Sequence, residues 1–495
     1  MNSISFEALF SWLTHVFQYE PGAPLMMGSM AFALVFVVFV AIYAWLRSWS
    51  RTAMMLYVVA FSLFFAYKAN GQLMFLLPMT AAIGYALTQE MSRKEGRQRK
   101  CLLTLTVLVH LGLLAYFKYT NFLVNDVVNA MLRTNFSFGT IALPIGISFY
   151  TFQAISYAVD TYRRKFTMDT TLLEYCFYLS FFPLLMAGPI TRAGNLLPRL
   201  RRNQQASSRM VWTGLWLIML GLMKKNVLGD YIGQFTGWVF DAPQQFSGFE
   251  NVAALLGYPV QIFLDFSGYS DMSLGVAAIL GFWLPENFWF PYRSLSLTDF
   301  WRRWHISLSS WFRDYVYIPL GGNRKGTVRM YLNNFLTMLV AGLWHGASWM
   351  FVIWGAMHGL GLVVHKLWSR QLGRRIPSTP VGNLLSWALT YGYVCLAWAF
   401  FRATDMATLG KMAGQVSSQF CIDYLLPFLM ARPAWSLCVA GVMLSYLVPE
   451  HAYTRLQLRF IKLPWLLKLL LFIVCLQLVV EFSQSSVQPF IYYQF

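Results

Sequence analysis

The chain has 495 residues, of which 57% are hydrophobic and only 12% are charged. Soluble globular proteins carry about 25% charged residues, so this composition excludes an ordinary soluble enzyme. Nearly charge-free stretches recur from residue 28 to residue 481, which is typical of a polytopic membrane protein. We expect one all-α integral membrane domain over residues 1–495, with about 11–13 spans.

The formal net charge of +18 does not indicate a nucleic-acid partner. Lys and Arg lie in short clusters between apolar segments, as expected from the positive-inside rule and from contacts with anionic lipid headgroups. The six cysteines are scattered and form no CxxC or Cys/His ligand spacing. The sequence therefore predicts membrane lipids as a partner, and neither a disulfide framework nor a metal site.

The first apolar segments predict an orientation. Residues 1–27 contain no Lys or Arg, whereas predicted spans at 28–46, 52–67 and 72–90 lead into the basic loop SRKEGRQRK at 92–100. Because basic loops stay in the cytoplasm, we expect the N-terminus to lie outside. Further spans are predicted at about 101–117, 141–159, 251–281, 383–401, 434–449 and 463–481.

The apolar segment 172–190 does not fit this alternation. Basic clusters lie on both sides of it, at 163–165 and from Arg192 onward, so a full span would place one cluster outside. Pro183 and the Gly188–Pro189 pair break helices, which predicts a re-entrant or broken helix. Irregular backbone at membrane depth needs protein or a water-filled cavity around it, so the sequence also predicts a cavity.

Two carboxylates, Asp265 and Asp271, lie in the segment LDFSGYSDMSLG. Gly268 and the serines predict a bend lining a cavity. The two carboxylates are expected to hold polar geometry by hydrogen bonding, or to contact arginines of residues 288–326.

Residues 288–326 are amphipathic and combine tryptophans with arginines, which is typical of an interfacial helix. Ser296 or Thr298 is a candidate N-cap, and Asp299 is favourable in the first helical turn. Beside the glycines of IPLGGNRKG, cationic side chains would also suit a phosphate-bearing acyl donor such as a coenzyme. The candidates for this contact are Arg302, Arg303, Arg324 and Lys325.

His345 lies in the apolar run GLWHGASW. An ionisable residue within the membrane indicates function by default, and a neutral imidazole can take the proton of an attacking hydroxyl. The alternative is a core histidine bonded to a main-chain carbonyl. The role of His305, in an amphipathic segment, is open between direct catalysis and a surface-facing or donor-positioning role. His358 and His365 share a helix face, which favours packing or hydrogen bonding.

The segments DFWRRWHISLSSWFRDYVYIPLGGNRKG and NNFLTMLVAGLWHGASWMFVIWGAMHG closely resemble the signature of the membrane-bound O-acyltransferase (MBOAT) family. The similarity is to its bacterial branch, which contains alginate O-acetyltransferase and teichoic acid D-alanyl transfer subunits. Weaker similarity lies in LPIGISFYTFQAISYAVDTYR, FFPLLMAGPITR, DFSGYSDMSLG and the closing QPFIYYQF.

The resemblance implies helices around a central tunnel, with His345 as the deep catalytic histidine and His305 as the second polar residue. It implies an inner-membrane enzyme that passes an acyl group, most simply acetyl from acetyl-CoA or another cytoplasmic thioester, to an extracytoplasmic polysaccharide, directly or through a secreted acyltransferase partner. One alternative is D-alanyl transfer to teichoic acid from a carrier protein. Another is a transporter without chemistry, which broken helices and a buried histidine also fit.

Overall fold

The computed structural model describes residues 14, 16–21, 24–136, 139–165, 170–203, 205–371 and 379–482. Within these ranges the regular structure is entirely helical, which confirms the all-α prediction. The closing QPFIYYQF lies outside the described residues. The chain divides into unit 1 (Met1–Gly214 and Met272–Pro285) and unit 2 (Leu215–Asp271 and Glu286–Phe495). The two units are described separately, and the single membrane domain stays a prediction.

Unit 1 begins with four long apolar helices that coincide with the first four predicted spans. A serine caps each of the first two: Ser29 Oγ accepts from Phe32 N, and Ser50 Oγ accepts from Ala53 N. The helices of unit 1 are α1 (Met30–Trp49), α2 (Arg51–Asn70), α3 (Leu76–Arg93), α4 (Gly96–Asn121), α5 (Asn129–Leu132), α6 (Ile147–Tyr162), α7 (Leu172–Ser180), α8 (Phe182–Leu185), α9 (Ala193–Arg202) and the start of α10 (Ser208–Leu222).

The broken helix predicted over 172–190 is confirmed. Helix α7 ends at Ser180, and the chain turns at Phe181 before α8, which carries Pro183 in its first turn. Hydroxyls compensate the lost helical hydrogen bonds: Ser62 Oγ accepts from Phe182 N at 3.2 Å, and Ser273 Oγ donates to the Pro183 carbonyl. A break is therefore tolerated in the buried interior because its main-chain groups have partners.

Unit 2 holds the end of α10, all of α11, most of α12 and all later helices. A π-helical turn, Met223–Gly229, follows α10, and another, Arg313–Tyr317, follows α14. The helices are α11 (Asp230–Asp241), α12 (Gly248–Ile279, whose last turns belong to unit 1), α13 (Leu297–Arg303), α14 (Ile306–Phe312), α15 (Thr327–His345), α16 (Trp349–Gln371), α17 (Pro380–Arg402), α18 (Met406–Gln419), α19 (Leu425–Ala431), α20 (Pro433–Ser445), α21 (Glu450–Lys462) and α22 (Trp465–Phe482).

Six helical stretches of the described chain are long and apolar enough to cross a membrane, or seven if a pair of helices bent by 104° is one span. A polytopic membrane protein is thereby confirmed. This count among the described residues is below the predicted 11–13 spans, because helices such as Ile147–Tyr162, with 16 residues, are shorter than the about 17–25 residues that cross a bilayer. The six stretches are Met30–Trp49, Arg51–Arg93, Gly96–Leu132, Trp349–Gln371, Pro380–Arg402 and Trp465–Phe482.

The bend predicted around Gly268 is wrong, since α12 is continuous there. A Cβ atom at Gly268 would lie 2.9 Å from the main-chain nitrogen of Lys225, so the glycine allows close packing rather than a turn. Of the two expectations for the carboxylates, hydrogen bonding that holds polar geometry is confirmed, with lysines as partners. Asp265 pairs with Lys225 at 2.7 Å and Asp271 pairs with Lys224 at 2.7 Å.

Candidate active site

The turn between α13 and α14 carries His305. Ser296 is the N-cap of α13, because its Oγ accepts from Asp299 N at 3.2 Å, and this confirms one of the two predicted caps. Thr298 instead bonds His365 Nδ1 at 2.9 Å. The helix ends at Arg303, and His305 takes a left-handed conformation (φ 42°, ψ 55°) before α14 starts.

His305 is fully buried among aromatic rings. Its ring centroid lies 4.7 Å from that of Phe266, 6.3 Å from Phe288 and 6.3 Å from Trp344. Its Nδ1 lies 3.0 Å from Asn287 Oδ1. Burial lowers the pKa of His305 to about 3, because an apolar environment disfavours the charged form. The imidazole is therefore neutral at physiological pH.

His345 is the last residue of α15 and is 3% exposed. Aromatic rings surround its imidazole edge-to-face, with centroid distances of 5.1 Å to Trp344, 4.9 Å to Trp354 and 5.3 Å to Phe401. Trp344 contacts both His305 and His345, so the two histidines occupy one buried aromatic cluster. The two catalytic candidates are therefore linked through the ring of Trp344, the residue before His345.

Glycines position His345 by allowing α15 and α16 to pack closely. A Cβ atom on Gly355 would lie 2.6 Å from the Met338 carbonyl oxygen and 3.1 Å from Gly342 Cα. One at Gly346 would strike the ring of Phe351. The glycines on either side of the histidine in GLWHGASW thus allow the close approach of neighbouring groups.

His358 and His365 lie on α16 and bond α13. Trp301 Nε1 donates to His358 Nδ1 at 3.3 Å, and Thr298 bonds His365 as described. Because an indole nitrogen only donates, His358 Nδ1 is the acceptor and its Nε2 carries the proton. Both histidines thus form hydrogen bonds between helices, as predicted, while their role in the enzyme stays a prediction.

The four basic candidates differ in their surroundings. Arg303 is half-buried between two carboxylates, with Nε 3.0 Å from Asp299 Oδ2 and Nη1 3.3 Å from Glu450 Oε1. The other three side chains are exposed, Arg302 at the end of α13 and Arg324 and Lys325 in the turn before α15. Arg303 is thus held by two carboxylates, whereas the side chains of Arg302, Arg324 and Lys325 are exposed.

Asp314 forms an ion pair with its sequence neighbour, since Arg313 Nε lies 2.9 Å from Asp314 Oδ1. In the described ranges, no group of three or more His, Cys, Asp or Glu side chains could hold a metal ion.

Asn287 is the residue of this site that the sequence predictions missed. It is 2% exposed and contacts His305 through its side chain. In the sequence, Asn287 is recognisable only as an amide between Glu286 and Phe288, 18 residues before His305, which it contacts.

The structure is that of a helical membrane protein in which one tryptophan contacts two buried histidines. The family model of MBOAT, the membrane-bound O-acyltransferase family, matches residues 9–401. The chain belongs to this family and is an acyltransferase.

Three relatives illustrate the range of the similarity. The peptidoglycan O-acetyltransferase of Helicobacter pylori is 31% identical, over 89% of this chain and 91% of its own length. The probable alginate O-acetylase of Pseudomonas putida is 37% identical, over 79% of this chain and 84% of its own. The teichoic acid D-alanyltransferase of Bacillus subtilis is 28% identical, over 52% of this chain and 68% of its own.

Proposed function

We propose that this enzyme takes an acetyl group from a cytoplasmic thioester, acetyl-CoA in the simplest case, and passes it across the membrane. The acceptor is a hydroxyl on an extracytoplasmic polysaccharide, reached directly or through a secreted acyltransferase partner. The observation that carries the proposal is the buried cluster in which Trp344 contacts both His305 and His345. Relatives named as O-acetyltransferases over most of this chain support the acetyl group.

His345 is the general base of the proposed reaction. As the acceptor oxygen attacks the thioester carbonyl carbon, the imidazole takes the hydroxyl proton. The C–S bond then breaks, and the thiolate leaving group takes that proton from the imidazolium. An ester forms, a free thiol leaves and the imidazole is regenerated. A neutral imidazole suits this step because an alcohol is a poor nucleophile without a base.

His305 has the supporting role. A histidine whose pKa is lowered to about 3 is a weak base near neutral pH, but it can still accept a hydrogen bond. We assign it the orientation of the acceptor hydroxyl or of the thioester beside His345. The aromatic rings around both histidines exclude water, which protects the thioester from hydrolysis.

The donor would be held near α13 and the turn before α15. Arg302, Arg324 and Lys325 are exposed and free to approach phosphates of a coenzyme. Arg303, held by two carboxylates, would orient α13 more than the donor. The proposed setting is the bacterial inner membrane with the N-terminus outside, and a central tunnel would connect donor and acceptor.

D-alanyl transfer from a carrier protein is the alternative within the family. The teichoic acid relative covers 52% of this chain, less than the two acetyl-transferring relatives, which favours acetyl. A transporter without chemistry would need neither histidine as a base. Labelled acetyl-CoA, or a D-alanyl carrier protein, supplied to the purified enzyme in lipid with candidate acceptors separates these three functions.

The same test applies in cells. His345→Ala is expected to abolish polymer acetylation while the protein still inserts into the membrane at normal level. His365→Ala is the matched control. This histidine bonds Thr298 and Ser369 and lies outside the buried cluster. Normal acetylation by the His345 variant would contradict the proposal.

A further inference from the structure

Asn287 bonds the turn that carries His305 through its main chain and its side chain. Its carbonyl oxygen accepts from Ile306 N at 2.9 Å. Its Oδ1 accepts from Ser307 N at 3.2 Å and from Ser307 Oγ at 2.8 Å, and lies 3.0 Å from His305 Nδ1. Its Nδ2 donates to Ser270 Oγ at 3.4 Å. One buried asparagine thus bonds three successive residues, 305–307.

These contacts determine which imidazole nitrogen carries the proton. A main-chain N–H can only donate, so the Asn287 atom facing Ser307 N is the oxygen, and the orientation of the amide is settled. That oxygen can only accept, so His305 Nδ1 must donate to it. The neutral imidazole therefore has its lone pair on Nε2. Among the described residues this buried Nε2 has no hydrogen-bond partner.

We propose that Asn287 is a positioning residue that holds His305 in the Nδ1–H form and keeps its Nε2 lone pair available to the reacting groups. This inference rests on the function proposed above, because it gives His305 the role of hydrogen-bond acceptor. The orientation of a histidine by the partner of its other nitrogen is a general device of catalytic and metal sites.

The backbone at His305 supports this role. A φ of 42° is uncommon for a residue with a side chain and persists only where neighbouring contacts hold it. The two main-chain donors that follow His305 both bond Asn287. The asparagine thus holds the strained turn as well as the ring.

The aromatic rings around the imidazole cannot replace the amide oxygen. The neighbours are Phe266 of α12, Phe288, and Trp344 of α15, whose rings offer no conventional hydrogen-bond acceptor. In the opposite tautomer, the Nδ1 lone pair would face the Asn287 oxygen without a proton between them. Without the amide, we therefore expect the imidazole of His305 to populate both tautomers and to lose its fixed ring orientation.

The tautomer can be measured without the reaction. The purified full chain in lipid, labelled with ¹⁵N-histidine, carries seven histidines, and His305→Gln assigns the His305 signals. The wild type is expected to show protonated Nδ1 and unprotonated Nε2, and Asn287→Ala a shift toward mixed tautomers. Asn251→Ala is the matched control, since Asn251 is also fully buried and bonds three carbonyls of a turn but no histidine. An unchanged His305 tautomer in Asn287→Ala would overturn the proposal.

Kinetics give the second readout. Asn287→Ala should lower kcat about 10- to 100-fold, the effect of losing one buried hydrogen bond at the reacting groups, with KM for the donor unchanged. Asn287→Asp keeps an acceptor but places a carboxylate opposite Nδ1, which favours the imidazolium and raises the pKa of His305. Its activity should therefore recover as the pH rises, with the acid limb of the pH profile shifted upward.

The outcomes separate the two proposals. If His345→Ala retains full acetyl transfer, the proposed function is wrong, while the tautomer still tests Asn287. If His345→Ala is inactive but both Asn287 variants keep the wild-type tautomer, kcat and pH profile, only the positioning proposal is wrong. Should Asn287→Ala not fold, Asn287→Asp carries the test, and a wild-type pH profile in that variant overturns the proposal.

Discussion

Substitution of Gly355 by alanine tests whether the close packing of α15 and α16 positions His345. The added Cβ would lie 2.6 Å from the Met338 carbonyl oxygen, whereas ordinary van der Waals contact begins at 3.4 Å, so the helices must separate by up to about 0.8 Å. The contacts are all with main-chain atoms, which cannot rotate away. Overpacking of this kind costs about 1–3 kcal/mol.

The displacement would change the contact between two rings of the site, the imidazole of His345 and the indole of Trp354. Helix α15 ends in His345, and Trp354 on α16 contacts its imidazole with a centroid distance of 4.9 Å. Because a misplacement of about 1 Å can cost about 100-fold in rate, Gly355→Ala should lower kcat by about 10- to 100-fold and also lower the melting temperature. Labelled acetyl transfer and thermal unfolding of the purified protein in detergent measure the two effects.

Gly392→Ala is the matched control. Gly392 lies in α17 with nothing within 4 Å of an added Cβ, so alanine there should leave activity unchanged and raise stability slightly, by up to about 1 kcal/mol of helix propensity. If Gly355→Ala were as active and as stable as Gly392→Ala, the link between helix packing and the position of His345 would be refuted.

Three further variants test other parts of the structure. Lys225→Met leaves Asp230 and Asp265, paired with it at 2.5 and 2.7 Å, without their cation, and should destabilise the protein by about 3–5 kcal/mol; an unchanged melting temperature would contradict this. Ser296→Ala removes the N-cap of α13 and should cost about 1 kcal/mol in the same measurement, whereas no loss would show that the cap is dispensable. His305 has a pKa of about 3 in the folded protein and of about 6.5 in the unfolded chain. The unfolded chain therefore binds the proton more tightly, and the free energy of unfolding falls as the pH drops from about 6.5 toward 3. His305→Gln should flatten that slope in melting curves taken across this pH range, and an identical slope would argue against a neutral buried histidine.

Much of the helical framework was predictable because hydrophobicity and proline act locally. The first four spans were found from apolar runs, and the break within 172–190 was found from Pro183 and from basic clusters on both sides. The error at Gly268 has a clear physical cause. A glycine followed by serines resembles a bend in sequence, but here it allows another segment to approach a continuous helix, and the sequence does not show which segment that is.

The histidines of the cluster were identifiable because ionisable residues are rare in apolar segments and because they lie in family motifs. Asn287 was not, since a single amide carries no periodic or charge signal and its contact with His305 depends on the tertiary fold. Likewise, the pairing of Arg303 with Glu450 joins residues 147 positions apart. Such contacts follow from packing and were beyond single-sequence inference.

The decisive measurement is the rate of acetyl transfer by purified enzyme in lipid, from labelled acetyl-CoA to a candidate acceptor, for wild type, His345→Ala and His365→Ala. With His345 as general base, its alanine variant should lose about 100- to 10,000-fold in rate, while the His365 variant stays near wild type. Equal rates for wild type and His345→Ala would contradict the proposed role of His345 and the mechanism built on it.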